Sequence, residues 1–207
     1  MKKLCVIVCL SVGLSGTALA KGDADAGKQK SAVCAACHGP DGNSAIPMNP
    51  KIAGQHENYL VKQLKEFKLA GQSGGEEGRN NPVMNGMAMP LSEQDMQDLA
   101  AYFASQQPKD GTTPESAVEA GAALYRGGNL ERGVTACIAC HGPRGNGMQL
   151  AGFPDISGQH PEYIVAQLKA FQNGERHNDM NAMMRDVAMK LSDEEMQVLA
   201  DYLAGLH

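Results

Sequence analysis

The sequence CAACH at residues 34–38 recurs as CIACH at residues 137–141, and these two stretches decide the fold of the chain. Both follow the C-x-x-C-H pattern that is typical of covalent haem attachment. The two thiols can add to the two vinyl groups along one edge of a porphyrin, and the adjacent histidine can then bind the iron. The pattern predicts two covalently bound haem c groups. The expected thioether residues are Cys34, Cys37, Cys137 and Cys140, and the expected axial ligands are His38 and His141.

Two other kinds of site use the same residue types. Paired C-x-x-C motifs form zinc ribbons, but those pairs usually lie about 15–20 residues apart, far closer than Cys37 and Cys137. A single C-x-x-C can be a redox dithiol, but that chemistry does not require a histidine after both copies. We therefore favour haem attachment over zinc binding and dithiol chemistry.

Residues 1–20 have the pattern of a secretory signal. Two lysines precede an apolar stretch over residues 4–14, and the Ala-Leu-Ala at 18–20 is typical of a cleavage site. The stretch is short for a membrane span, so an uncleaved anchor is the less favoured alternative. We expect cleavage after Ala20 and export to the periplasm, which leaves no cysteine outside the two haem motifs.

The composition fits a soluble protein whose core needs a cofactor. Of the 207 residues, 43% are hydrophobic, but there are only four phenylalanines, five tyrosines and no tryptophan. A large, flat, apolar group would supply the core volume that so few aromatic side chains cannot. The formal net charge of −5 becomes −7 without residues 1–20, which argues against a nucleic-acid partner.

An internal repeat divides the chain into two copies of one domain. After each haem motif come a Gly-Pro-x-Gly-Asn segment, a Gly-Gln-His turn and a methionine segment before Leu-Ser, in the same order. Between the copies lies a segment with two prolines and a glycine, which is typical of a linker. The expected organisation is a signal peptide at 1–20, a first domain at 21–107, a linker at 108–114 and a second domain at 115–207.

The hydrophobic periodicity predicts an all-α fold with three helices and long loops in each domain. The helices are expected at 25–33, 56–70 and 92–103 in the first copy and at 115–125, 161–174 and 192–203 in the second. Gly71 is the expected stop of the middle helix, and Ser92 and Ser192 are capping signals for the last helices. The second copy carries an extra segment at 126–134 before its cysteines.

Methionine is the expected second axial ligand, since a thioether favours Fe(II). The repeat reduces twelve methionines to three recurring pairs. These pairs are Met84/Met184, Met89/Met189 and Met96/Met196. The third pair lies on the apolar side of the last helices and is expected to pack, while the second lies where a hydrophobic staple is usual. We favour Met84 and Met184, further out in predicted loops, with the neighbouring methionines left as alternatives.

His56 and His160 also recur, each after Gly-Gln at the start of a middle helix. Ligation of iron by these histidines is the less favoured alternative to helix capping or a surface hydrogen bond. The methionine-rich runs at 84–89 and 180–189 could bind Cu(I). Haem ligation and packing already account for those methionines.

The joint pattern resembles the di-haem cytochrome c4 family over essentially the whole mature chain. The resemblance rests on the duplicated haem motif, the Gly-Gln-His turns, the methionine segments before Leu-Ser and the terminal Gly-Leu-His. It implies two tandem class I cytochrome c domains, each wrapped around one covalent haem, with Met84 and Met184 as iron ligands. The extra segment at 126–134 departs from this equivalence and implies different surroundings for the two haems.

By this resemblance the chain is expected to be an electron carrier and not an enzyme. It implies transfer from a quinol-oxidising complex to a terminal oxidase or other redox protein, with possible loose membrane association and no small-molecule substrate. A di-haem peroxidase is the less favoured rival, because it must keep one iron open and methionines recur in both halves. The haem subunit of a flavin-dependent sulfide dehydrogenase is a second alternative.

Overall fold

Ten α-helices and two short 3₁₀ turns make up the computed structural model, which describes residues 21–207. The first domain contains α1 (Ala24–Lys30), α2 (Ala32–His38), α3 (Glu57–Gln72), α4 (Pro82–Ala88) and α5 (Glu93–Ala104). The second contains α6 (Glu115–Gly127), α7 (Ile138–His141), α8 (Pro161–Gln172), α9 (Met183–Ala188) and α10 (Asp193–Ala204). Across residues 21–207 two isolated β-bridges occur and no strand, so the all-α prediction is confirmed. The expected signal peptide lies outside the described residues.

In each domain the first and last helices pack closely against each other. A Cβ atom at Gly27 would lie 2.0 Å from the carbonyl oxygen of Asp98, and one at Gly121 would lie 2.4 Å from Cβ of Tyr202. Both distances are shorter than atoms can approach, so only glycine permits these crossings. The two glycines thus set how the termini of each domain meet around its core.

The last helix of each domain begins with a complete capping box. The hydroxyl of Ser92 accepts a hydrogen bond from the amide of Asp95, whose carboxylate accepts one in return from the amide of Ser92. Ser192 and Glu195 repeat the arrangement on α10. Both capping predictions are confirmed, because four consecutive residues are enough to form this motif.

Each domain has five helices rather than the predicted three, because short helices also form at the haem motif and at the methionine segment. Two predicted helix boundaries are also wrong. The helix expected at 25–33 breaks at Ser31, whose buried hydroxyl donates to the carbonyl of Lys28 and so competes with helical hydrogen bonding. The middle helix α3 continues through Gly71, so the predicted stop is wrong. A Cβ at Gly71 would lie 3.0 Å from Sδ of Met89, so this glycine gives room to a neighbouring side chain.

The extra segment at 126–134 is a turn that closes on the last helix of its own domain. An isolated bridge joins Asn129 to Val134, and the amide group of Asn129 donates to Oε1 of Glu195 over 2.8 Å. Arg132 forms an ion pair with the same carboxylate. The segment therefore braces the start of α10, whereas in the first domain the carboxylate at the matching position, Asp95, pairs with Lys30 of α1 over 2.7 Å.

The two domains join through a pair of matching glutamines. Nε2 of Gln55 donates to the carbonyl of Asp155 over 2.7 Å, and Oε1 accepts from the amide of Asp155 over 3.0 Å. Gln159 makes the same two bonds to the backbone of Lys51, each 2.9 Å long. This near two-fold pairing, which we call the glutamine clamp, links each Gly-Gln-His turn to the segment that follows the other domain's haem motif.

No helix within residues 21–207 combines the length and the apolar composition that crossing a membrane requires.

Candidate haem sites

His38 ends α2 with its side chain buried and oriented by one hydrogen bond. Its Nδ1 lies 2.9 Å from the carbonyl oxygen of Pro50. Because a carbonyl only accepts, Nδ1 carries the proton and Nε2 presents its lone pair. Burial lowers the pKa of His38, an effect that the hydrogen bond to Pro50 only partly offsets. The imidazole is thus neutral and aligned, which is the state that binds a metal ion.

His141 has the same surroundings at the end of α7. Its Nδ1 donates to the carbonyl oxygen of Pro154 over 3.0 Å, and burial again lowers its pKa. The ring of Phe153 lies 6.4 Å from the imidazole, between ring centres. A histidine oriented by a proline carbonyl on the following loop therefore recurs in both domains, and Nε2 is the free ligand atom in each.

The cysteines lie close before the two histidines, since Cys34 and Cys37 are within α2, Cys137 directly precedes α7 and Cys140 is within it. Burial raises the pKa of Cys34, and it raises that of Cys137 to about 11. A redox dithiol depends on a lowered thiol pKa, and burial shifts the pKa of Cys34 and Cys137 in the opposite direction. Within residues 21–207, three or more cysteine, histidine or acidic side chains do not cluster as a metal site would require. The zinc alternative therefore also lacks support.

Met84 lies on α4 and Met184 lies on α9, so the prediction that both lie in loops is wrong. Asn81 caps α4, accepting from the amide of Met84 over 3.0 Å, and Pro82 occupies the first turn. The helix α9 follows a turn in which Asn181 and Ala182 have positive φ. Both methionines are half-buried, and Met184 packs against the apolar cluster that also includes Cys137.

The other recurring methionines have the surroundings expected of packing residues or surface residues. Met96 and Met196 are 2% and 0% exposed on the last helices, so their packing role is confirmed. Met89 and Met189 are 42% and 62% exposed. Of the three pairs, only Met84 and Met184 are neither enclosed by the core nor largely open to solvent.

His56 and His160 form hydrogen bonds between the domains. Nε2 of His56 lies 2.9 Å from the carbonyl of Asn146, and Nε2 of His160 lies 2.8 Å from the carbonyl of Ser44. Because a carbonyl oxygen only accepts, Nε2 of each ring carries the proton and donates to the backbone of the other domain. The capping alternative is not observed, since neither side chain caps its helix, and the hydrogen-bonding interpretation is confirmed.

A cluster of buried polar side chains at the centre of the domain interface was not predicted. We call it the arginine cluster; its members are Arg79, Arg176, Gln63, Gln167, Tyr59 and Tyr163. Nη1 of Arg79 donates to Gln63 over 2.7 Å, and its Nη2 donates to Tyr163 and Gln167 of the other domain over 2.8 and 2.7 Å. Arg176 donates to Gln167 in its own domain, and it donates to Tyr59 and Gln63 of the first domain. The sequence signal was partial: the tyrosines and glutamines recur at matching positions, but Arg79 stands twelve residues after Phe67 and Arg176 only five after Phe171.

The site residues fit a covalently bound haem in each domain. The thiols, the oriented imidazole and a half-buried methionine are present twice, with apolar side chains around them. The clusters include Cys34 with Ile52, Leu60 and Leu91 in the first domain, and Cys137 with Ile156, Ile164 and Met184 in the second. Thioether attachment, imidazole ligation and apolar burial are the three requirements of such a group.

Comparisons with a family model and with known proteins agree on the family that this chain resembles. The family model described as Cytochrome c matches residues 24–107 and again 118–207. The chain is 49% identical to cytochrome c4 of Azotobacter vinelandii, with 100% of both chains covered. It is 38% identical to a thiosulfate dehydrogenase electron acceptor of Stutzerimonas stutzeri, over 84% of this chain and 79% of that protein.

A solved structure agrees with this result. The crystal structure of reduced recombinant cytochrome c4 from Pseudomonas stutzeri matches with a TM-score of 0.87 and 48% identity. The match covers 90% of this chain and 100% of that one. The likeness therefore includes both domains and their relative placement.

Proposed function

Because the chain belongs to the cytochrome c4 family of di-haem electron-transfer proteins, we propose that it is a periplasmic electron carrier. Its donor would be a quinol-oxidising complex, and its acceptor a terminal oxidase or another redox protein. The observation that supports this most is the duplicated site, in which His38 and His141 are buried, neutral and oriented in the same way. Export to the periplasm rests on the signal pattern at residues 1–20 and on the need to attach haem covalently.

The proposed haem-binding residues are those that the sequence indicated. Cys34, Cys37, Cys137 and Cys140 would form the thioether bonds, and His38, Met84, His141 and Met184 would ligate the two irons. Once bound, each haem supplies a one-electron Fe(II)/Fe(III) couple. Two axial ligands on each iron leave no position for a substrate, so the proposal includes no catalytic residue.

The residues of the chain then serve electron transfer by holding the sites rigid. The proline carbonyls fix the imidazoles, and the paired first and last helices fix the core on which each site rests. The glutamine clamp, the arginine cluster and the hydrogen bonds of His56 and His160 keep the two domains docked. A fixed arrangement limits the rearrangement that accompanies each change of charge, which favours fast transfer between domains.

Two of the similar proteins suggest thiosulfate dehydrogenase as an alternative electron donor. The relative from Stutzerimonas stutzeri is named an electron acceptor of thiosulfate dehydrogenase, and a second such acceptor, from Thiomonas intermedia, is also 38% identical. Under this alternative the chain would receive electrons from a thiosulfate-oxidising enzyme and would use the same two sites.

A redox titration followed by spectroscopy tests the proposal. The purified protein should contain two haems per chain and show two one-electron transitions, with the weak near-infrared band of sulfur-to-iron ligation in the oxidised form. Met84→Ala combined with Met184→Ala should abolish that band. Met89→Ala with Met189→Ala is the matched control and should leave it unchanged. Loss of the band in the control pair instead would move the ligands to those positions.

Two donor assays separate the candidate partners. The oxidised protein is mixed with a reduced quinol-oxidising complex in one experiment and with thiosulfate dehydrogenase plus thiosulfate in the other. Rapid reduction in the first alone supports the respiratory role. Rapid reduction in the second alone supports the thiosulfate role and excludes the first. Turnover of peroxide by the reduced protein would contradict both and favour a peroxidase.

A further inference from the structure

The residue after each orienting proline differs in charge between the two domains. The repeat aligns Pro50-Lys51-Ile52 with Pro154-Asp155-Ile156, so Lys51 and Asp155 occupy the same position in the two copies. Their backbones have the same surroundings, because each makes two hydrogen bonds to a clamp glutamine of the other domain. The supports of the two axial histidines therefore match in backbone geometry but carry side chains of opposite charge.

Asp155 belongs to the loop that orients His141. Pro154, the residue before it, accepts the hydrogen bond from Nδ1 of His141. The carboxylate of Asp155 accepts hydrogen bonds from the amide of Ser157 over 2.8 Å and from its hydroxyl over 2.6 Å. It forms no ion pair with a basic side chain of residues 21–207. Neutral groups thus hold the negative charge in place without balancing it.

Partial burial extends the reach of this negative charge. Asp155 is half-buried, and burial raises its pKa. The hydrogen bonds from Ser157 and the imidazoles of His56 and His141 act in the opposite direction. Because His141 acts on it, the carboxylate lies within electrostatic range of the expected iron ligand. A charge in a poorly solvated place is also screened less by water and salt than a charge on the surface.

Lys51 occupies the equivalent place in the first domain with the opposite charge. It is also half-buried. Its ammonium group donates to the carbonyl of Lys109 over 3.0 Å and to that of Gly158 over 2.8 Å. It too forms no ion pair with a carboxylate of the described residues 21–207. The first site therefore has a half-buried cation at the position where the second site has a half-buried anion.

One other charge differs between the segments that follow the haem motifs. The repeat aligns Asp41 with Arg144, which is a difference in the opposite sense. Asp41 forms an ion pair with Lys109 over 3.2 Å, and Arg144 is exposed to solvent. A paired charge and a solvent-screened charge act more weakly at a distance than a half-buried charge without an ionic partner. The difference between Lys51 and Asp155 is thus the larger one.

We propose that Asp155 holds the haem of the second domain at a lower reduction potential than the haem of the first. This inference rests on the haem sites of the proposed function. An oxidised haem carries one positive charge more than a reduced haem, so a nearby carboxylate favours the oxidised form and lowers the potential. Lys51 acts in the opposite sense on the first haem.

The proposal gives electron transfer within the chain a direction. An electron that enters at the second domain passes from Fe(II) of that haem to Fe(III) of the first haem, so the second iron is oxidised and the first is reduced. In the one-electron-reduced protein the electron then resides in the first domain.

Spectroelectrochemical titration of the holoprotein at about pH 8, well above the ordinary aspartate pKa, tests this inference. Met184→Ala first assigns the two transitions, because only that of the second haem should leave its wild-type position, and it should be the lower one. Asp155→Asn should raise the lower transition and bring the two closer together. Its amide oxygen can still accept from Ser157, so the loop should keep its shape. Asp155→Lys should narrow the separation further.

A double variant separates the position of the charges from the net charge. Lys51→Asp combined with Asp155→Lys leaves the formal net charge unchanged. It should narrow the separation beyond that of Asp155→Lys alone or reverse the order of the two potentials. Arg144→Gln is the control, since it removes an exposed charge from the same domain, and it should leave both transitions near their wild-type positions.

Three results would overturn the proposal. The first is assignment of the higher transition to the second haem. The second is an Asp155→Asn protein whose transitions match those of the wild type or move together by the same amount, as a change in overall charge would cause. The third is a shift in Arg144→Gln as large as that in Asp155→Asn. Two haems per chain, and an intact near-infrared band in the variants at Lys51 and Asp155, keep these outcomes separate from failure of the proposed function.

Discussion

Replacement of both clamp glutamines by methionine should uncouple the two domains. Gln55→Met and Gln159→Met keep the length of the side chain but remove its amide group. Each change deletes two hydrogen bonds between the domains, and in the double variant four are lost. Gln55 is 8% exposed, so the backbone groups of Asp155 that it pairs with lose a partner in a poorly solvated place.

The size of the effect follows from the number of hydrogen bonds. A typical intramolecular hydrogen bond contributes about 1 kcal/mol net. The bonds across the interface should therefore account for about 2 kcal/mol of unfolding free energy in each single variant and about 4 kcal/mol in the double variant. The hydrogen bond that Gln55 accepts from the amide of His56, or Gln159 from that of His160, adds about 1 kcal/mol to each loss. For a protein of this size, about 2 kcal/mol corresponds to a lowering of Tm by roughly 4–8 °C.

Calorimetry and urea unfolding measure this loss and its location. Wild-type holoprotein should unfold in one cooperative transition, while the double variant should show two, one for each domain. Gln172→Met is the control, because that side chain also makes two hydrogen bonds to backbone groups, but both stay within the second domain. The control should lose similar stability without separating the domains. A double variant within about 1 kcal/mol of wild type, the contribution of a single hydrogen bond, would refute the reasoning.

Three further predictions concern the packing and the charges of single domains. Met196→Ala should cost about 2–5 kcal/mol because the side chain is fully buried, whereas Met189→Ala, at an exposed position, should cost much less; equal losses in urea unfolding would contradict this. Gly121→Ala should prevent close packing of α6 on α10, since its Cβ would meet Cβ of Tyr202 at 2.4 Å, and the variant should lose more stability than Gly127→Ala, whose Cβ would meet nothing within 4 Å. The side-chain hydrogen bonds from Lys30 lower the pKa of Asp95 and Asp98, so this interaction stabilises the fold above the ordinary aspartate pKa and is lost as the pH falls through the lowered values. Lys30→Gln should therefore be less stable than wild type at neutral pH, with a difference that shrinks in acid; a difference that is constant with pH would show that the ion pairs contribute nothing.

Local features of this fold could be read from the sequence, because a few adjacent residues determine them. The capping boxes at Ser92 and Ser192 are of this kind, and so are the cysteine and histidine positions of the haem motifs. The break at Ser31 was missed because a serine inside a helical pattern can either face solvent or bond back to the helix. The helix that contains Met84 had a local signal in Asn81 and Pro82, which cap and start it.

The arrangement at the domain interface could not be predicted in the same way. Arg79 and Arg176 stand at different distances from the repeated helices, and several of their partners lie in the other domain and become neighbours only when the domains dock. His56 and His160 show the same limit, since the recurrence indicates a shared role and only the docked structure shows the carbonyl groups that they contact. Pairing between distant segments depends on packing across the whole molecule, which local patterns do not contain.

Addition of carbon monoxide to the reduced holoprotein at neutral pH tests the central claim most directly. That claim is that each iron is closed on both sides by a histidine and a methionine, so that only electrons enter and leave. The account predicts an unchanged visible spectrum, with carbon monoxide bound only after Met84→Ala or Met184→Ala opens one site. Prompt binding by the folded wild-type protein would show an open iron and would contradict the assignment as an electron carrier.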